Sequence, residues 1–117
     1  MQRDKKTRLD PAQIRAIAYG YGACIASNHI LEGKPVGFMY RDQPEYGNSS
    51  GWFFFSGEES QDYVDDPNNL SLYDVNTIAN YDPSIVVFLD APVGSAYARD
   101  ENGELQPQTL PCRPREH

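Results

Sequence analysis

Four aromatic residues in succession, Trp52, Phe53, Phe54 and Phe55, stand between Gly51 and Ser56. Bulky aromatics favour the pleated surface of a strand, so residues 51–56 are expected to be one. Alternate side chains of a strand point to opposite faces, which sends Trp52 and Phe54 one way and Phe53 and Phe55 the other. Both faces must then be at least partly covered, by other elements of the chain or by a partner. The simpler arrangement is a central strand sandwiched by helices. This requirement limits the chain to folds that carry a sheet with layers packed on it.

The flanking segments supply candidate layers. Asp10, Pro11 and Gln13 form a helix start with a cap, a proline at the first helical position and a capping box, and Leu9 and Ile14 can close a hydrophobic staple. A helix is expected over residues 9–18, with Ile14, Ile17, Ala18 and Tyr21 on one face and Gly20 and Gly22 ending it. Residues 23–27 and 34–41 read as two strands joined around Glu32 and Gly33 into a hairpin. A polar loop, 42–50, follows. Residues 58–64 read as a short acidic helix and 75–80 as another, capped by Asp74 with Tyr73 and Ile78 as staple. The β-branched run Ile85, Val86 and Val87 predicts a strand over 84–89. A turn at 90–94 leads to a strand over 95–99, and Asn102-Gly103 marks a final hairpin turn. The expected fold is a single α+β domain with an antiparallel or mixed sheet of about five strands, an N-terminal helix and two short helices packed on it. Residues 1–8 are expected to form a basic extension, 9–106 the domain and 107–117 a flexible Pro-rich tail.

A chain of 117 residues is one domain in size. Its apolar runs fall well short of the roughly 20 residues that cross a bilayer. The basic N-terminus lacks an apolar segment of the kind that drives cleaved secretion. Two cysteines, Cys24 and Cys112, are few for a small exported domain, and reduced thiols in a cytoplasm are expected. The formal net charge is -7, and every Lys and Arg lies at or before Arg41 or at or after Arg99. The middle of the chain is therefore acidic without relief, which disfavours nucleic acid and favours a basic protein partner.

No catalytic constellation emerges from the residues. Cys24 and His29 are five apart but lack a third group and an oxyanion site. Two His and two Cys are too few for a structural zinc site once the terminal His117 is set aside. Residues 62–66 lack the alternating ligands of a calcium loop. The carboxylates single out no acid/base pair. No catalytic residue, metal or cofactor is expected. Two other classes remain open, a small hydrolase with an unrecognised carboxylate pair and a self-assembling structural module.

Five blocks occur in a familiar order: Ala23-Cys24-Ile25-Ala26-Ser27, Val36-Gly37-Phe38-Met39-Tyr40-Arg41, Gly51-Trp52-Phe53-Phe54-Phe55-Ser56-Gly57, Tyr73-Asp74-Val75-Asn76-Thr77-Ile78 and Leu89-Asp90-Ala91-Pro92-Val93-Gly94-Ser95-Ala96. Together they resemble the Immunity protein 33 family, from about Gly22 to Leu105. Phe53 departs from the family pattern, in which a polar or basic residue commonly follows the Gly-Trp pair, and the N-terminal helix lies outside the resemblance. The likeness implies a bacterial protein that neutralises a cognate toxin by binding, with no catalytic residues to carry over. The charge pattern agrees, since an acidic face steers association with a basic enzyme. The expected partner surface takes charge from Glu58, Glu59, Asp62, Asp65, Asp66 and Asp74 and apolar anchors from Tyr63 and Tyr73. The protein is expected to act as a monomer or weak homodimer, without membrane or nucleic acid.

Overall fold

The computed structural model describes residues 14–18, 20–44 and 47–108. Along the chain come β1 (Ala23–Ser27), α1 (Asn28–Leu31), β2 (Phe38–Arg41), β3 (Ser49–Phe55), α2 (Gln61–Asp65) and a 3-10 turn, Pro67–Asn69. There follow β4 (Leu70–Asp74), α3 (Val75–Tyr81), a 3-10 helix, Pro83–Phe88, then β5 (Ala96–Arg99) and β6 (Leu105–Gln108). The six strands form one mixed sheet in the order β4-β1-β3-β2-β5-β6. β1 and β3 run parallel, and every other neighbouring pair is antiparallel. The α+β expectation holds, with six strands rather than about five.

The aromatic run is β3, and its alternation is as expected. Trp52 and Phe54 are fully buried, packed with Met39 of β2 and with Cys24 and Ala26 of β1. The helical layer closes over them with Ile30 of α1, Val75, Ile78 and Ala79 of α3, and Ile85 and Leu89. The indole N–H of Trp52 donates to the Leu89 carbonyl at 3.2 Å, so the one polar atom of the ring is satisfied inside the core. Arg41 lies over the same ring at 5.7 Å and donates to the carbonyls of Ser50 and Ala91.

A bulge sits where β3 begins. β1 advances from Ala23 to Ile25 while β3 advances from Ser49 to Phe53, so β3 spends extra residues in the same length. Gly51 absorbs them with φ +85, and a Cβ there would collide with the Asp42 carbonyl. The Ser50 hydroxyl donates to the Ala23 carbonyl at 2.6 Å and accepts from the Trp52 N–H at 3.1 Å, occupying the ladder groups that the bulge leaves unpaired.

Three expectations need correction. Residues 23–27 and 34–41 do not form a hairpin: α1 follows β1 directly, capped by the Ser27 hydroxyl, and β2 pairs with β3 and β5. Residues 84–89 are not a strand. Asp82 accepts from the Ser84 N–H, Pro83 occupies the first turn, and the segment winds as the 3-10 helix. Leu70–Asp74, where only a staple and a cap for the following helix are expected, is the edge strand β4.

The capped start of the helix expected over 9–18 lies outside the described residues, and residues 14–18 take an irregular course. Two asparagines one turn apart on α3 hold that segment. The Asn76 side-chain oxygen, Oδ1, accepts from the N–H groups of Ile17 and Ala18. Asn80 both accepts from and donates to the Arg15 backbone. Asn76 is 3 % exposed, and its pairing removes the cost of burying an amide. Just past the C-terminus of α3, Asp82 pairs with Arg99 at 3.0 Å, and Arg99 also donates to the Val36 and Gly103 carbonyls.

Candidate functional site

The acidic middle of the chain folds around α2. Ser60 begins this helix by accepting the Tyr63 N–H at 3.1 Å, and Asp62 lies in its first turn, where the helix dipole favours a negative charge. Asp66 caps the following 3-10 turn through the Asn68 N–H. None of the five residues of α2 is fully buried. A helix this short is not stable alone, so its position depends on what it touches. Tyr63 supplies one contact, its ring 4.4 Å from that of His29. Val64 supplies another, lining grooves on the sheet with Phe55 and with Phe53.

Glu59 supplies the third. One carboxylate oxygen accepts the N–H and the hydroxyl of Ser56, at 2.8 and 2.9 Å. The other accepts the Gly57 N–H at 2.9 Å. The His29 ring nitrogen lies 3.3 Å away, and the Glu59 side chain is only 3 % exposed. Burial by itself raises the pKa of such a group, but hydrogen bonds from Ser27 and from the backbone and hydroxyl of Ser56 outweigh it and hold Glu59 at about 2. Since this value lies below the ordinary 4.5, the ionised carboxylate stabilises the fold fully above pH 4.5. That contribution is lost as the pH falls toward 2. Glu59→Gln is expected to cost about 2 kcal/mol at pH 7, allowing for solvent screening. The difference from the parent protein should shrink to nothing as pH falls toward 2, and urea unfolding across that range measures it.

The eight residues expected to meet a partner therefore separate. Asp62, Asp65 and Asp66 lie together on α2 and its C-terminal cap, all exposed. Glu58 is exposed nearby and pairs with Lys34 at 2.9 Å. Glu59 is turned inward and anchors the loop before α2, so it does not offer a charge to solvent. Tyr63 lies against His29, and Tyr73 packs on the core beside Cys24. Asp74 caps α3 through the Asn76 N–H at 2.8 Å, at the far end of β4 from α2. The four steps from Leu70 to Asp74 put it roughly 13 Å along the strand.

The Cys24 thiol is buried, and burial together with the Asp74 carboxylate pushes its pKa well above the ordinary range. It stays protonated and points into the core, while His29 is engaged with Ser56, Glu59 and Tyr63. Among the described residues, no group of three or more His, Cys, Asp and Glu side chains could hold a metal ion. No helix among them is long and apolar enough to cross a membrane.

A surface that the charge pattern did not bring forward lies on the sheet itself, on the face opposite α1 and α3. The register puts Phe38 opposite Phe55 and Tyr40 opposite Phe53, with Ile25 beside Phe53 and Leu72 beside Ile25. The Tyr40 and Phe53 rings stack at 4.8 Å with planes 2° apart, and Tyr40 also stacks with Phe55 at 6.3 Å. These aromatics are half-buried and Leu72 is 55 % exposed. The signal for this face was already in the sequence, in the requirement that Phe53 and Phe55 be covered by something.

The features with functional potential among the described residues are thus surfaces of a small α+β domain, an acidic helix and an aromatic sheet face. The chain matches the model of the Immunity protein Imm33 domain over residues 24–109 and belongs to that family. No curated protein and no solved structure matches it.

Proposed function

We propose that the protein neutralises a cognate bacterial toxin by binding it, with the acidic surface around α2 meeting a basic toxin. Membership of an immunity-protein family carries this reading. The grouping of Asp62, Asp65 and Asp66 on one exposed segment supports its electrostatic part. The interaction is protein–protein, without nucleic acid, membrane or cofactor, and the protein acts in the cytoplasm as a monomer or weak homodimer. Rim carboxylates act mainly on encounter: they raise the association rate and make it fall with salt. The test is co-expression in a bacterial host with the toxin encoded beside it, scoring growth, followed by binding kinetics across salt concentrations. Replacing Asp62, Asp65 and Asp66 together by Lys is expected to slow association about tenfold or more at low salt, with a smaller effect at high salt. Growth arrest unrelieved by the protein would sink the immunity reading. Rescue by a complex whose association rate ignores both salt and these substitutions would remove the acidic surface from it.

A further inference from the structure

The aromatic sheet face has the composition of an interface core. Phe38, Tyr40, Phe53 and Phe55 form a continuous set of ring contacts, extended by Ile25 and the exposed Leu72. Two grooves open on it with Val64 of α2 lining both, one between Phe38 and Phe55 and one between Phe53 and Leu72. Among the described residues, no strand position that the register puts on this face is Lys or Arg.

Carboxylates stand at its margin. Asp65 lines the groove with Phe53 and Leu72, and Asp42 lines another with Ile25 and Phe53. Stacked rings have negative faces that attract a guanidinium, and a carboxylate alongside accepts its N–H groups. A phosphate backbone would need cations beside the rings, and the face has none in its strands. A second copy of the same face would bring like-charged margins together.

Resting on the immunity reading, we infer that this face is the docking surface for the toxin, and that it receives an arginine-bearing apolar segment laid across Tyr40 and Phe53. The acidic α2 then borders the contact and guides approach, while the rings hold the complex together. Aromatics at the centre of an interface govern dissociation, and charges at its rim govern association.

Two probes test this. The first is the toxin that the protein protects against in co-expression. Leu72→Arg places a cation on the face at a side chain already half in water, and is expected to speed dissociation at least tenfold with the melting temperature unchanged. Phe53→Ser is expected to weaken binding about 30-fold, its folding being checked by melting, and Leu72→Arg decides the matter if that variant does not fold. Full protection and parental dissociation rates in Leu72→Arg would overturn the inference while leaving the immunity reading intact.

The second probe is independent of any toxin: a synthetic peptide of alternating Arg and Leu, with a Glu and Leu peptide as control, titrated against the isotope-labelled full chain. Ring resonances of Tyr40 and Phe53 are expected to shift with the arginine peptide, not with the control, and far less in Leu72→Arg. Shifts confined to α2 would overturn the proposal even if no toxin were protected against. Sedimentation showing a tight dimer that Leu72→Arg dissolves would also overturn it, by assigning the face to a second copy.

Discussion

Trp52→Ala is expected to remove about 3–5 kcal/mol of stability, a large share of the roughly 5–15 kcal/mol that holds a domain together. Trp52 is fully buried on the core side of β3, stacked with Phe54 at 5.9 Å and bonded to the Leu89 carbonyl. Truncation opens a cavity beneath the helical layer, leaves that carbonyl without its donor and takes away the ring under Arg41. The neighbouring Phe53→Ala removes a smaller ring from the opposite face, where it is already half in water. It is expected to cost less than half as much. Urea unfolding of both variants checks the ratio, and equal losses would mean that the two faces are equally buried in solution.

Gly51→Ala is expected to cost about 3 kcal/mol or more. A left-handed backbone costs an alanine roughly 1–2 kcal/mol, and the added Cβ would collide with the Asp42 carbonyl. The collision cannot be relieved by a side-chain rotation, because Asp42 is itself bonded to Gly51 through its N–H, at 2.8 Å. Gly94 provides the comparison: its φ is +97, but nothing lies within 4 Å of a Cβ placed there. Gly94→Ala should therefore lose only the conformational part, about 1–2 kcal/mol. Denaturant midpoints of the two variants measured side by side separate backbone conformation from close approach. Equal midpoints would refute the steric part of the argument.

Much of the fold could be read from residues whose local chemistry and tertiary role agree. Asp74 caps α3 as its position before Val75 suggested, and Asn102-Gly103 turns the β5–β6 hairpin. The alternation of Trp52 to Phe55 placed each ring on its correct face. The failure at 84–89 arose because Ile85, Val86 and Val87 favour a strand by composition, while burial follows a different period. Ile85 and Leu89 are fully buried and Val87 is 82 % exposed, a spacing of four that belongs to a helical turn. Asp82 and Pro83 carry the local signal for it, a cap followed by a proline in the first turn.

The absent β1–β2 hairpin has a different cause. Two strands joined by a short turn usually pair, yet α1 lifts the chain off the sheet after Ser27, and β3 takes the place beside β1. No local pattern encodes a parallel partner more than twenty residues away. For the candidate site, charge composition drew attention to the segment that forms α2 but could not tell Glu59, whose side chain is turned inward, from the exposed Asp62, Asp65 and Asp66. The difference is made by Ser27, Ser56 and Gly57, small residues whose donors converge only after folding.

The arrangement of β1 also bears on how the molecule assembles. Both partners of this strand are distant in sequence, Ala23 pairing with Ser49 on one side and with Asp74 on the other. β2–β3 and β5–β6, by contrast, can close as hairpins. Closing a longer loop costs more chain entropy, and non-local pairing slows folding. During synthesis β1 leaves the ribosome before either partner, so one edge stays open until β3 has followed and the other until residue 74 has. Until then the open edges of β1 are where unfinished chains can pair with one another instead of with themselves, so crowding during synthesis bears hardest on this strand.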